Sequence, residues 1–251
     1  MNLNLSGKTA VVTGGGGGIG SEVCRQLALA GANIVLTHRS HDSRERALAV
    51  QETLAPGNHT VIRAAVEDAK DQAVLAAELA KQYGRVDILV NNAGMTRFVD
   101  PDNLDGLDDS LIDDIFRVNW RGAFATVRAL APLLRKSDDG LVVNMSSIAG
   151  TTGIGSNVAY CASKSAMNTM TVSLARSLAP DIRVISIAPG LVEGEYTRKL
   201  DPAWNRRQEE LTPLKRLTQA KDVARAVLAC ATLLTHSTGC VVPVDGGRPL
   251  T

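Results

Sequence analysis

Tyr160 and Lys164 stand four residues apart in "SSIAGTTGIGSNVAYCASKSAMN" (146–168). On a helix, positions i and i+4 share one face. A lysine ammonium near a phenol favours the phenolate and lowers the tyrosine pKa, which makes Tyr160 a usable general acid or base near neutral pH. Ser146 and Ser147 lie just past the apolar run "LVVNM" (141–145), where a hydroxyl can reach a ligand at the end of a strand. Taken alone, such a tyrosine–lysine pair is ordinary helix surface, so the rest of the chain has to decide.

A second stretch carries phosphate chemistry. "AVVTGGGGGIG" (10–20) places five glycines between a β-branched run and a helix-like segment. Glycine there lets the backbone approach a pyrophosphate, and the helix N-terminus supplies amide donors. Two spacings fit: Gly15, Gly17 and Gly20 as G-x-G-x-x-G, and Gly14, Gly18 and Gly20 as G-x-x-x-G-x-G. Past the second apolar run come His38, Arg39 and Ser40, with no carboxylate before Asp42. An NAD site places Asp or Glu there for the ribose 2′-hydroxyl. A cation and a hydroxyl suit a 2′-phosphate instead, so the reading favours NADP(H) over NAD(H).

The elements that must position these groups are legible as a pattern. Short Val- and Ile-rich runs occur at 9–13, 33–37, 60–64, 86–90, 141–145, 183–188 and 240–244. Their continuous apolarity means burial on both faces, as in a parallel sheet. Helix-like stretches alternate with them near 19–30, 42–55, 68–83, 108–136, 157–179 and 220–234. The expectation is an α/β fold: one Rossmann-type, doubly wound parallel sheet of about seven strands, a single domain over 1–251. The polar segment 191–215, with Trp204 and two prolines, lacks a core pattern and is expected to be a mobile substrate lid.

Bulk properties agree with an ordinary globular chain. Of 251 residues, 45% are hydrophobic and 21% charged, and the net charge is +1, which argues against a nucleic-acid partner. No uncharged apolar run approaches membrane-spanning length, so no membrane is expected. The start, "MNLNLSGKTA", carries no secretory pattern, and a cytoplasmic protein is the expectation. Cys24, Cys161, Cys230 and Cys240 form no C-x-x-C pair, so neither metal nor disulfide is expected.

Together these motifs resemble the short-chain dehydrogenase/reductase family from about Ser6 to Gly247, with a general likeness to the 3-oxoacyl-[acyl-carrier-protein] reductases. "TGGGGGIG" matches the family's TGxxxGxG, which selects Gly14, Gly18 and Gly20. "NNAG" (Asn91–Gly94), "VN" (Val118, Asn119), "YCASK", "PG" (Pro189, Gly190) and "VDGG" follow in order. A serine 13 residues before the tyrosine selects Ser147. The resemblance implies that Tyr160 exchanges a proton with the substrate oxygen and Ser147 orients that oxygen. It implies that Lys164 binds the nicotinamide ribose and lowers the Tyr160 pKa, while Asn119 holds a relay water. Cofactor contacts implied are Gly14, Gly18, Ile19, Gly20, His38, Arg39, Ser40, Val66, Asn91, Ala93, Gly94, Tyr160, Lys164, Pro189, Gly190 and Val192. Three positions depart from the family: Ala65-Val66 replaces Asp-Val, Gly194 stands where a Thr is common, and Gly17 supplies no basic residue to the loop.

The expected activity is NADP(H)-dependent reduction of a ketone to a secondary alcohol, with a 3-oxoacyl thioester as one substrate. The alternatives are oxidation of a polyol, sugar or steroid alcohol at the same site, or a non-catalytic nucleotide sensor on the same fold. Expected partners are a small carbonyl or alcohol substrate, in acyl-carrier-bound form if a basic patch lies at the cleft mouth. Arg135, Lys136, Arg176, Arg198, Lys199, Arg206 and Arg207 are the candidates for that patch. A homotetramer or homodimer is implied by the family.

Overall fold

The computed structural model describes residues 3–195, 197–199 and 201–250. Tyr196 and Leu200, within the expected lid, lie outside the described residues. The strands are β1 (Thr9–Val12), β2 (Asn33–His38), β3 (Thr60–Arg63), β4 (Ile88–Asn91), β5 (Gly140–Met145), β6 (Ile182–Pro189) and β7 (Val241–Val244). They form one sheet in the order β3-β2-β1-β4-β5-β6-β7, with every neighbouring pair parallel. The order reverses where β1 meets β4. Connections leave to opposite faces there, so a crevice opens at the C-terminal ends of the strands.

Nine α-helices surround the sheet among the described residues: α1 (Gly18–Leu29), α2 (His41–Gln51), α3 (Ala69–Gln82), α4 (Asp109–Phe116), α5 (Ala123–Leu134), α6 (Ala149–Thr152), α7 (Val158–Leu178), α8 (Pro202–Leu211) and α9 (Ala220–Thr232). Alternate strand residues enter two cores. Ala10, Val12, Ile34, Leu36, Val90 and Val143 pack with α1, α2 and α9. Val11, Val35, Leu89, Val142 and Val184 pack with α3, α5 and α7. Burial on both faces is why the strand runs carry no polar alternation.

The N-terminal edge of the sheet is pinned by Asp87, which is almost fully buried. Its carboxylate accepts from the Thr9 N–H at 2.8 Å and the Ser137 hydroxyl at 2.6 Å. Lys8 at 3.2 Å and Arg85 at 3.1 Å supply the opposite charge. Burial raises this carboxyl, but those donors and cations more than offset it and hold it below the usual range.

Two expectations need correction. The stretch 108–136 is not one helix: α4 and α5 are separated by a π-helical turn, Arg117–Gly122. The lid segment is not patternless either. It holds a 3₁₀ turn at Thr197–Lys199 and then α8, which Asp201 caps and Pro202 opens. Asp-Pro at N-cap and N1 is a helix-start signal that the absence of a core pattern obscured. All four cysteines are free, with Cys24, Cys161 and Cys230 buried. Among the described residues, no helix is long and apolar enough to cross a membrane.

Candidate active site and cofactor cleft

A cleft of about 360 Å³ lies over the C-terminal ends of β1, β2 and β4. Its floor is the glycine loop between β1 and α1. Gly14 has φ +65°, the left-handed conformation that favours glycine. Gly17 is the N-cap of α1 without a side-chain cap, so the N–H groups of Gly18, Ile19 and Gly20 have no intrahelical acceptor. A Cβ built on Gly18 would meet no protein atom within 4 Å, whereas one on Gly20 would stand 2.5 Å from the Gly14 carbonyl oxygen. Packing therefore explains the glycine at 20 but not at 18. Open space above free amides at a helix N-terminus fits a pyrophosphate.

The loop after β4 braces this floor. The Thr13 hydroxyl accepts from the N–H groups of Asn92 and Ala93 at 3.0 and 2.9 Å. Asn92 Nδ2 donates to the carbonyls of Thr13 and Gly14. Ala93 and Gly94 line the cleft, as do Val66 and Val118. Asn91 does not: it is buried at the end of β4, and its Nδ2 donates to Asn144. The bracing roles of Thr13 and Asn92 escaped the sequence reading, because a backbone brace between loops 80 residues apart leaves no local pattern.

At the far end, His38 and Arg39 line the cleft. His38 is nearly buried, its Nδ1 lies 3.2 Å from the Ser40 carbonyl, and burial holds its pKa below the ordinary value. Ser40 is exposed, and its hydroxyl is engaged at the start of α2. It caps α2, accepting from the Ser43 N–H, while the Ser43 hydroxyl accepts from the N–H groups of Arg39 and Ser40 and donates to the Ser40 carbonyl. Ser43, Arg46 and Glu67, none of them singled out in the sequence, complete this wall.

The reactive groups gather at the C-terminal end of β5. Tyr160 and Lys164 occupy successive turns of α7 on one face. Half-buried Ser147 stands beside the Tyr160 hydroxyl and favours its charged form, while its own Oγ accepts from the Ala149 N–H at 3.1 Å. Ser146 is buried, and its hydroxyl donates to Asn168 at 2.6 Å, so it does not share the site. The Lys164 ammonium donates to the Met145 carbonyl at 2.7 Å and stands 5.6 Å from the centre of the Tyr160 ring. Burial lowers its pKa to about 8. Two of its donors have no acceptor among the described residues.

The phenol itself departs from expectation. Burial pushes Tyr160 above its ordinary value, and Ser147 offsets only part of that. Desolvation of the charged form outweighs what favours it.

Asn119 is fully buried in the π-turn. Its Oδ1 accepts from the Met95 N–H at 2.7 Å, and its Nδ2 donates to the Met95 carbonyl and to Ser163. Both amide hydrogens are engaged, so a relay water can be held here only by Oδ1 or the main chain. The same bonds draw the chain toward the β4 loop at the wide turn.

Beyond β6, the Pro189 carbonyl accepts from Ile148, and Gly190 packs against the Asp245 backbone. Val192 pairs with Thr218 through its neighbours: Thr218 N–H donates to Leu191 and Glu193 N–H to Thr218. The N–H and C=O of Val192 itself have no partner among the described residues, as a carboxamide contact requires. Thr197 instead folds back on Gly194, accepting from its N–H and donating to its carbonyl.

The proposed basic patch needs correction. Arg135 and Lys136 follow α5 and precede β5, and Arg176 ends α7 before β6. They sit at the N-terminal edge of the sheet, opposite the cleft, where Arg135 pairs with Asp181 and Lys136 donates to Gly84. Arg198, Arg206 and Arg207 remain in the lid segment, while the Lys199 side chain lies outside what is described. Among the described residues, no group of three or more His, Cys, Asp or Glu is placed to hold a metal.

Residues 8–205 match the family model described as short chain dehydrogenase. Over 245 residues the chain is 36% identical to a protein named as ketoacyl reductase 2 of the granaticin polyketide synthase from Streptomyces violaceoruber, covering 96% of each. It is 35% identical to the 3-oxoacyl-[acyl-carrier-protein] reductase FabG of Aquifex aeolicus, with 98% of this chain and 99% of that one covered. A solved short-chain dehydrogenase/reductase from Brucella melitensis, named glucose/ribitol dehydrogenase, superposes with a TM-score of 0.91 at 30% identity and 99% coverage of both chains.

Proposed function

This chain belongs to the short chain dehydrogenase family, and from that premise we propose that it reduces a ketone to a secondary alcohol with NADPH, a 3-oxoacyl thioester being its substrate class. It is an oxidoreductase of ketone and CH–OH groups that uses a nicotinamide dinucleotide. The observation that carries the catalytic reading is the Ser147–Tyr160 hydroxyl pair beside the buried Lys164 ammonium. The names of the ketoacyl and 3-oxoacyl reductases among the relatives support the thioester.

When bound, the nicotinamide supplies a hydride to the carbonyl carbon. Ser147 and Tyr160 both offer hydroxyls to the carbonyl oxygen, where negative charge develops. Tyr160 holds the proton that this oxygen needs. Its raised pKa keeps it loaded at neutral pH, the state a proton donor requires. Lys164 stabilises the phenolate left behind and directs its remaining donors at the ribose. Run in reverse, the same groups oxidise an alcohol. Residues 191–215 are the proposed lid, and a homodimer or homotetramer the proposed assembly.

For the cofactor, Arg39 supports NADPH: it lines the cleft at the end of β2, and no carboxylate follows that strand before Asp42. The test is initial-rate turnover of a ketone panel, including a 3-oxoacyl thioester, with NADPH and NADH. NADPH should win, and Arg39→Ala should weaken NADPH about ten- to a hundred-fold more than NADH, the scale of a hydrogen bond to a charged group. A wild-type preference for NADH, or no turnover of any ketone, overturns the reading.

A further inference from the structure

The glycine loop, Gly14–Gly18, has no cation of its own. The loop is nevertheless seated against one. A Cβ on Gly16 would lie 2.7 Å from the Ala47 nitrogen and 3.1 Å from the Arg46 carbonyl carbon. The bare backbone of Gly16 thus touches the second turn of α2 and places Arg46 on the cleft wall beside Arg39. Neither guanidinium has an ion-pair or hydrogen-bond partner among the described residues. The two hydroxyls at this end are engaged elsewhere, Ser40 and Ser43 being locked in the capping box of α2. What remains for an anion is a pair of unpartnered guanidinium groups, opposed in the cleft by the single carboxylate of Glu67.

We infer that Arg46 is the second cationic arm for the cofactor's 2′-phosphate, supplying from α2 the charge that the loop lacks. The inference rests on the NADPH reading above and adds a specificity residue to it. A dianionic phosphate gains from two guanidinium groups, each able to donate in a fork. A ribose hydroxyl gains little from either, so the arm discriminates between the two cofactors.

The test uses binding rather than turnover. Calorimetric titration of 2′,5′-ADP and of ADP at one salt concentration is compared for the wild type, Arg39→Ala, Arg46→Ala and Arg46→Ala with Gly17→Arg. Arg46→Ala should weaken 2′,5′-ADP about tenfold or more and leave ADP nearly unchanged. Gly17→Arg should restore much of that loss. Residue 17 has φ −87°, open to any side chain, and its nearest neighbour to a Cβ is the Gly14 oxygen at 3.5 Å. Thermal unfolding of each variant checks that the fold is retained. Unchanged 2′,5′-ADP affinity in Arg46→Ala, with a loss in Arg39→Ala, overturns the inference and leaves the NADPH reading standing. Equal weakening of both ligands by Arg46→Ala also overturns it, since it places the charge at the adenosine 5′-phosphate that the two share. A wild type that does not bind NADPH more tightly than NADH in the same titration overturns the NADPH reading itself.

Discussion

Gly18 and Gly20 belong to one motif, yet the structure gives them different reasons to be glycine, and alanine at each separates those reasons. In Gly20→Ala the new methyl would stand 2.5 Å from the Gly14 oxygen and 2.6 Å from Asn92 Nδ2. Backbone cannot move aside cheaply, so overpacking costs about 1–3 kcal/mol. Displacing Asn92 weakens its bonds to Thr13 and Gly14, at 2.9 and 3.2 Å, for about another 1 kcal/mol. A total of about 2–4 kcal/mol should lower Tm by roughly 5–15 °C in a chain of this size. In Gly18→Ala the methyl meets no protein atom, and at the first residue of α1 it improves helix propensity by up to about 1 kcal/mol. Stability should hold or rise slightly. The methyl instead occupies the space above the free amides, and losing charge-assisted bonds to a pyrophosphate costs roughly ten- to a hundred-fold in dinucleotide affinity. The assay pairs thermal unfolding with fluorescence titration of NADPH. A Gly18→Ala protein that binds NADPH like the wild type refutes the assignment of that open space to the cofactor. A Gly20→Ala protein with an unchanged Tm refutes the packing account.

Other consequences are equally direct. Tyr160→Phe should abolish turnover while leaving cofactor affinity nearly intact; more than about a tenth of wild-type kcat/KM, a loss under roughly 1.4 kcal/mol, contradicts its role as proton donor. Lys164 is lowered by burial to about 8, so between about pH 8 and the unfolded value near 10.4 the unfolded chain binds more protons and this group adds stability as pH rises. Lys164→Met should therefore raise Tm at pH 7, with a gain that shrinks toward pH 10, and a lowered Tm at pH 7 would count against it. Asp87 is held below the usual carboxyl range, so its contribution is present above about pH 4 and is lost as pH falls through the depressed folded value. Asp87→Ala should cost about 2–4 kcal/mol at pH 7 and little at pH 2, read from urea unfolding at the two pH values. Residues 191–215 should exchange amide hydrogens faster than the core strands without ligand and slow on cofactor and substrate binding; exchange as slow as β5 in both states would remove the lid.

Much of this molecule is written locally in its sequence. The seven Val- and Ile-rich runs are strands because burial on both faces demands continuous apolarity, and their alternation with helices sets the parallel sheet. The Tyr160–Lys164 spacing and the glycines after β1 are legible because helix periodicity and strand-to-helix turns are properties of neighbouring residues. The limits of that legibility are specific. That Ser43 closes a capping box around Ser40, and that Gly16 seats the loop on α2 next to Arg46, is visible only in the fold. Asn119 sits in an apparently continuous helix until its amide reaches the Met95 backbone at a π-turn. Arg135, Lys136 and Arg176 read as a patch until the direction of the chain puts them at the wrong edge of the sheet. The same holds for the charge state of Tyr160: its neighbour in sequence argues for a lowered pKa, but burial by the surrounding fold raises it. Period and spacing act over a few residues and survive in a one-dimensional reading, whereas close approach and desolvation depend on segments that only the folded chain brings together.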